Sequence, residues 1–171
     1  MANYAIIRTD LMTGTNVAAD LVSFMYENAE GEPAAIENGN VVKLDGLADP
    51  ANRELWKAVD PAADTAMKDV VVVAGVEVMY DERKKNLHEF INVAGKAVRG
   101  YIPHSRDIFS VTAEALDVAE DATVEVGNVV ELMAGTKLHV AAAATEGSTQ
   151  FGKIIAIEQA GRYTYYVIQV A

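Results

Sequence analysis

The chain has 171 residues, 51% of them hydrophobic, and Lys+Arg 14 against Asp+Glu 25 gives a formal net charge of -11. That length holds one ordinary domain or two small ones with enough apolar mass for a core. The acidic balance argues against nucleic acid and anionic membranes, which are held by clustered Lys and Arg, and the absence of Cys removes disulfides, thiolate catalysis and Cys-ligated zinc.

The first residues, Met1 to Arg8, show neither a charged segment leading into an apolar signal core nor an Arg-rich amphipathic pattern, so synthesis in a cytoplasm is expected. Tyr4 to Thr9 is a strand candidate, and Thr13-Gly14-Thr15 separates it from the next apolar stretch. Such a segment is either an edge in its own fold or an anchor on a neighbour. Val17 to Tyr26 fits both a helical stripe (Val17, Ala18, Leu21, Val22, Met25) and an alternating strand. The next strand candidates are Val41 to Leu44, Leu55 to Val59, Val70 to Val73 and Glu77 to Tyr80. Asp81 to Ile91 is the best short-helix candidate, with Asp81 as N-cap and Leu87, Phe90 and Ile91 as an apolar patch. Strand candidates resume at Ala97 to Ile102, Ile108 to Thr112, Val129 to Leu132, Lys137 to Ala142, Ile154 to Glu158 and Tyr163 to Val170. Short β-branched runs between Gly, Asn, Asp and Pro are the pattern of a mostly β protein with many turns.

An octapeptide recurs. Glu37-Asn38-Gly39-Asn40-Val41-Val42-Lys43-Leu44 returns as Glu125-Val126-Gly127-Asn128-Val129-Val130-Glu131-Leu132. Beyond it, Leu55 to Val59 parallels Leu138 to Ala142, placing Trp56 opposite His139, and Val71 to Val73 parallels Ile154 to Ala156. Each copy then meets an Ala-Gly pair, Ala74-Gly75 and Ala160-Gly161. The pattern reads as two copies of a small turn–strand–turn–strand unit, each opened by a glycine suited to positive φ. The expected architecture is therefore two related small β units forming barrel- or sandwich-like sheets, with at most short helices. Residues 1–16 form an N-terminal arm, 17–80 the first unit, 81–100 a charged connection and 101–171 the second unit, within one compact domain or two.

Chemical signatures are sparse. His88, His104 and His139 are scattered, without the His-Glu-x-x-His spacing of a zinc site. His88-Glu89 reads as a solvated pair. His104-Ser105-Arg106-Asp107 has the residue types of a hydrolase triad, but it follows Pro103 in one short string and reads as a loop. No phosphate-binding glycine loop occurs, and Gly95-Lys96-Ala97-Val98-Arg99-Gly100 fits a twisted strand entry. A paired-acid glycosidase would need aromatic platforms, which one Trp does not supply. No catalytic residue, metal or cofactor is expected.

Six strings, Tyr80 to Leu87, Gly95 to Tyr101, Ile108 to Leu116, Val126 to Leu132, Gly152 to Ile155 and Gly161 to Ile168, together resemble small head proteins of tailed bacteriophages, the capsid decoration or cement proteins. The resemblance runs from the Asn3 region to Val170. It implies a non-enzymatic protein on the capsid exterior of a virion, made in a bacterial cytoplasm. Such a protein binds the outer surface of the major capsid protein lattice and stabilises the mature head. It would act as a homo-oligomer, with a trimer favoured, and would bind no nucleic acid and no membrane. Alternatives are another virion component, such as a head fibre base or tail protein, and a small hydrolase or carbohydrate-binding module. The residues expected to touch the capsid lie in the N-terminal arm: Tyr4, Ile6, Ile7, Arg8, Asp10, Leu11 and Met12.

Overall fold

The computed structural model describes residues 3–12, 20–81, 83–84, 86–119 and 122–171, with the backbone alone at Leu11. The fold is mostly β, as the turn-rich pattern predicts, and is built as a closed five-stranded barrel beside a curled six-stranded sheet.

The barrel strands are β1 (Leu21–Tyr26), β2 (Val41–Asp49), β3 (Asn52–Val59), β4 (Val70–Val73) and β5 (Val98–Tyr101). They run in the order β1-β3-β2-β4-β5, and β5 returns to β1 to close the ring. Phe24, Ile36, Val42, Ala58, Val71, Val73 and Val98 form one buried cluster, the barrel interior. The β4 run of four valines is buried along its whole length. Alternation explains this: Val71 and Val73 fill the barrel, while Val70 and Val72 belong to a second, larger core outside it. Gly100 leaves the room that this narrow interior requires, since a Cβ there would collide with Val71 Cγ1 and Phe24 Cε1.

The open sheet comprises β6 (Ile108–Val111), β7 (Leu116–Val118), β8 (Val129–Glu131), β9 (Leu138–Ala141), β10 (Gln150–Ala160) and β11 (Tyr163–Val170), in the order β6-β11-β10-β8-β9-β7. Its apolar side carries Val130, Leu132, Leu138, Phe151, Ile154 and Ile168, packed in one cluster with Val41, Val70, Val72 and Ala74 from the outer wall of the barrel. The barrel thus fills the mouth of the half-barrel.

The octapeptide repeat is architectural. Both units share the order first-third-second-fourth-fifth: β1 is parallel to β3 and β7 to β9, and the other corresponding pairs are antiparallel. The hydrogen bonds repeat as well. Gly39 N–H donates to Val73 O at 2.8 Å and Val73 N–H to Asn40 O at 2.8 Å; Gly127 N–H donates to Ile154 O at 2.8 Å and Ile154 N–H to Asn128 O at 2.9 Å. Gly39 and Gly127 have φ of 85° and 98°. These bonds make Val73, rather than Val71, the counterpart of Ile154. Lys43 pairs with Val59 and Glu131 with His139, so Val59 rather than Trp56 corresponds to His139. The alignment beyond the octapeptide slips because β2 and β3 extend into a long ribbon with register shifts on both sides of Leu47.

Four expectations need correction. The helix expected over Asp81 to Ile91 is a single 3-10 turn, Leu87–Glu89, whose cap is Asn86 rather than Asp81 and which carries a capping box with Glu89. His88-Glu89 is not a solvated pair, because Glu89 is buried and bonds the Asn86 N–H at 2.9 Å. Glu77 to Tyr80 joins neither sheet. The connection expected at residues 81–100 ends inside the barrel, since Val98–Tyr101 is its closing strand. Val17 to Tyr26 resolves as strand from Leu21, and its residues 17–19 lie outside those described, as do 13–16 of the arm.

Candidate docking surface

The N-terminal segment is stitched to the fold. Tyr4 N–H donates to His88 O at 2.8 Å, Ala5 N–H to Glu37 Oε2 at 2.7 Å, Thr112 N–H to Ile6 O at 2.9 Å and Arg8 N–H to Ser110 O at 2.8 Å. Ile7 bridges Val111 in antiparallel sense, so the segment extends the β6 edge. Ile6 and Ile7 are buried in the chain's own core, which removes them from the expected capsid-binding set. An apolar residue reads alike in sequence whether its cover is internal or a partner. Of that set, Asp10 is exposed and Tyr4, Arg8 and Met12 are partly so, while the Leu11 side chain lies outside the described residues. Arg8 is held by Asp10 at 2.6 Å and lies over the Tyr165 ring, 5.5 Å from its centroid.

The three histidines have separate partners. His88 Nδ1 lies 2.9 Å from the Tyr163 hydroxyl, which also accepts from Arg162 Nη2 at 2.9 Å. His104 Nε2 is 2.8 Å from Asp20, whose hydrogen bond and charge push the imidazole pKa up. His139 Nδ1 is 3.0 Å from Asp117. His104 to Asp107 is a tight turn in which the backbone N–H of His104 donates to the Asp107 carboxylate at 2.9 Å. Among the described residues no three His, Asp or Glu side chains converge as metal ligands would.

The surface departs from ordinary patterning after β4. Residues 76–80 alternate as a strand would, but with the apolar side outward: Val76, Val78 and Tyr80 are 58%, 52% and 93% exposed, while Glu77 and Met79 turn inward. Asn38 Nδ2 reaches Glu77 at 3.4 Å, yet burial pushes the Glu77 carboxyl above its ordinary pKa. Among the described residues, the one backbone bond donated within this stretch runs from Val78 N–H to Val76 O. Val93, 61% exposed, rises opposite just before the Ala94–Gly95 turn that leads to β5, and Phe90 and Ile91 floor a groove of about 560 Å³ between the two segments. Lys96 lines it and Lys84 stands at one end. The groove is thus an apolar site whose margin carries both cations, Lys84 and Lys96, and carboxylates, Asp81 and Glu89.

In sequence, the spacing of two between Val76, Val78 and Tyr80 is the signal that predicts a strand over Glu77 to Tyr80. Alternation fixes that a face exists; it does not say whether that face is covered by the same chain.

Comparison with known proteins finds no matching family model, no matching curated protein and no matching solved structure.

Proposed function

We propose that this chain is a capsid decoration protein of a tailed bacteriophage, an assembly component that binds the outside of the major capsid protein lattice and stabilises the mature head. The observation that carries this reading is the outward apolar row Val76, Val78 and Tyr80, with Val93 beside it. A contiguous apolar surface on an extended segment that joins neither sheet is suited to being covered by another protein. The choice of a capsid as the partner lattice rests on the resemblance of the six strings to phage head proteins. The rigid paired-sheet scaffold and the acidic exterior suit a component displayed in many copies, where avidity multiplies modest contacts. Tyr4, Arg8, Asp10 and Met12, the accessible part of the N-terminal segment, are the capsid-facing candidates.

A reconstruction of the source particle by electron microscopy tests the reading, together with binding of purified chain to expanded capsids. Density for this chain at capsomer junctions and saturable binding are expected. Placement in the tail or at a head fibre would move it to the alternative virion role.

A further inference from the structure

We propose that the chain binds a small phosphate-type oxyanion in the cavity between the His104–Asp107 turn and the adjoining ends of β10 and β11. The cavity measures about 280 Å³, and Ser105, Arg106, Gln150, Gly152, Lys153 and Gln169 line it. These side chains supply two cations, a hydroxyl and two amides, and no Asp or Glu is among the lining residues, on a chain with 25 acids against 14 cations. Neither Arg106 nor Lys153 enters an ion pair among the described residues. Asp107, next in the chain, is buried, and its carboxylate accepts the His104 N–H at 2.9 Å. The carboxyl end of Ala171 stands at the rim, outside ion-pair distance of both cations.

The backbone singles out Arg106. Positive φ among the described residues belongs to eight glycines and to Arg106, at 77°. Arg106 is the third residue of a turn closed by Asp107 N–H donating to His104 O at 3.0 Å, where positive φ ordinarily selects Gly. The turn is clamped to β11 from both sides: Arg106 N–H donates to Val170 O at 3.0 Å and Val170 N–H to Asp107 O at 2.9 Å. A glycine would hold the same backbone without the left-handed penalty, so the turn itself does not account for the Arg side chain. Opposite it, Lys153 pairs in register with Gln169, and the neighbouring pair Ile154 and Ile168 faces the core, which turns Lys153 and Gln169 outward together. Gly152 keeps the floor low, since a Cβ there would run into Gln169 O. A guanidinium fork, an ammonium, a hydroxyl and two amides offer more donors than a carboxylate can use, and a tetrahedral dianion takes them. The cavity lies away from the Val76–Tyr80 row, and the inference does not rest on the capsid reading.

The test is an NMR titration of the isotope-labelled full chain with inorganic phosphate, with acetate and chloride at matched pH and ionic strength as controls. Saturable shifts of the amides of Arg106, Lys153 and Gln169 are expected with phosphate, weaker ones with acetate and none with chloride. Arg106→Gly and Lys153→Gln should each weaken phosphate binding by roughly 10-fold, the loss of one charge-assisted contact. Arg106→Gly carries a second readout. The left-handed strain it relieves offsets the entropy that a new glycine adds to the unfolded chain, so the unfolding temperature in phosphate-free buffer should not fall. A lower unfolding temperature would mean that the Arg106 side chain supports the turn, and overturns the inference. So does a phosphate response no greater than that of chloride, and so does phosphate binding that either substitution leaves untouched.

Discussion

Glu131 is a fully buried carboxylate at the repeat position that holds Lys43 in the first unit. Its charge is tolerated because Thr145 N–H donates to it at 2.9 Å, Thr145 Oγ1 at 2.5 Å and Ser148 Oγ at 2.6 Å, pinning the loop that leads into β10. Burial pushes the Glu131 carboxyl up, but the Ser148 and Thr145 hydrogen bonds outweigh it and hold the pKa below the ordinary value. A depressed folded pKa means that the unfolded chain binds the proton more tightly. The stabilisation is therefore complete above the unfolded value, about 4.3, and is lost as pH falls through the folded one. Glu77 has the opposite sign: its raised pKa favours the folded state at low pH, and that advantage fades as pH rises through the folded value. Urea unfolding across pH should show both effects. Glu131→Gln should lower stability at pH 7 by about 2–3 kcal/mol, the scale of hydrogen bonds to a charged group, and should flatten the acid limb. Glu77→Gln should leave the acid limb intact and raise stability at neutral pH.

The two octapeptide turns place chemically identical glycines in different surroundings. A Cβ on Gly127 meets open space, whereas one on Gly39 approaches Val111 Cγ1 at 3.1 Å and Ala115 at 3.2 Å, both in the second unit. Each substitution to Ala incurs the left-handed backbone penalty, on the order of 1 kcal/mol. Gly39→Ala should cost measurably more than Gly127→Ala in denaturant unfolding, and equal costs would mean that the Val111 contact yields freely. The N-terminal segment behaves as an element of the same kind. With Ile7 buried against the main core, Ile7→Ala should cost about 2–4 kcal/mol, and deletion of residues 2 to 12 should lower the unfolding temperature in the absence of any partner. Much of this level is legible in the sequence. The strand candidates Val70 to Val73 and Tyr163 to Val170 coincide with β4 and β11, and the octapeptides fall at equivalent turns. β7 is not legible, because a run of three residues paired in parallel to β9 has no readable period. Asp81 to Ile91 reads as a helix on charge spacing and a cap residue, features that a single 3-10 turn shares. The docking groove is legible only as apolar spacing, since its existence depends on two segments brought together by β4 and β5.

At the scale of the molecule, the two units divide one fold unequally. The barrel closes on itself and keeps a private interior, while the open sheet never pairs β6 with β7 and relies on Val41, Val70, Val72 and Ala74 of the barrel wall to complete its core. The second unit therefore has no complete core of its own, and the shared valines should couple the units into one cooperative transition. Trp56, the single tryptophan, lies in β3 and packs against the barrel interior, so its fluorescence reports the barrel alone. Amide hydrogen exchange along β10 and β11 reports the sheet. In urea, the fluorescence midpoint and the midpoint for collapse of β10–β11 protection should coincide. Val72→Asp, which buries a charge in the shared core, should lower both together, since an unpaired buried charge is costly in either unit's environment. A sheet that persists after the Trp56 signal is lost would mean that it holds its core without the barrel wall, and that the repeat units are independent domains.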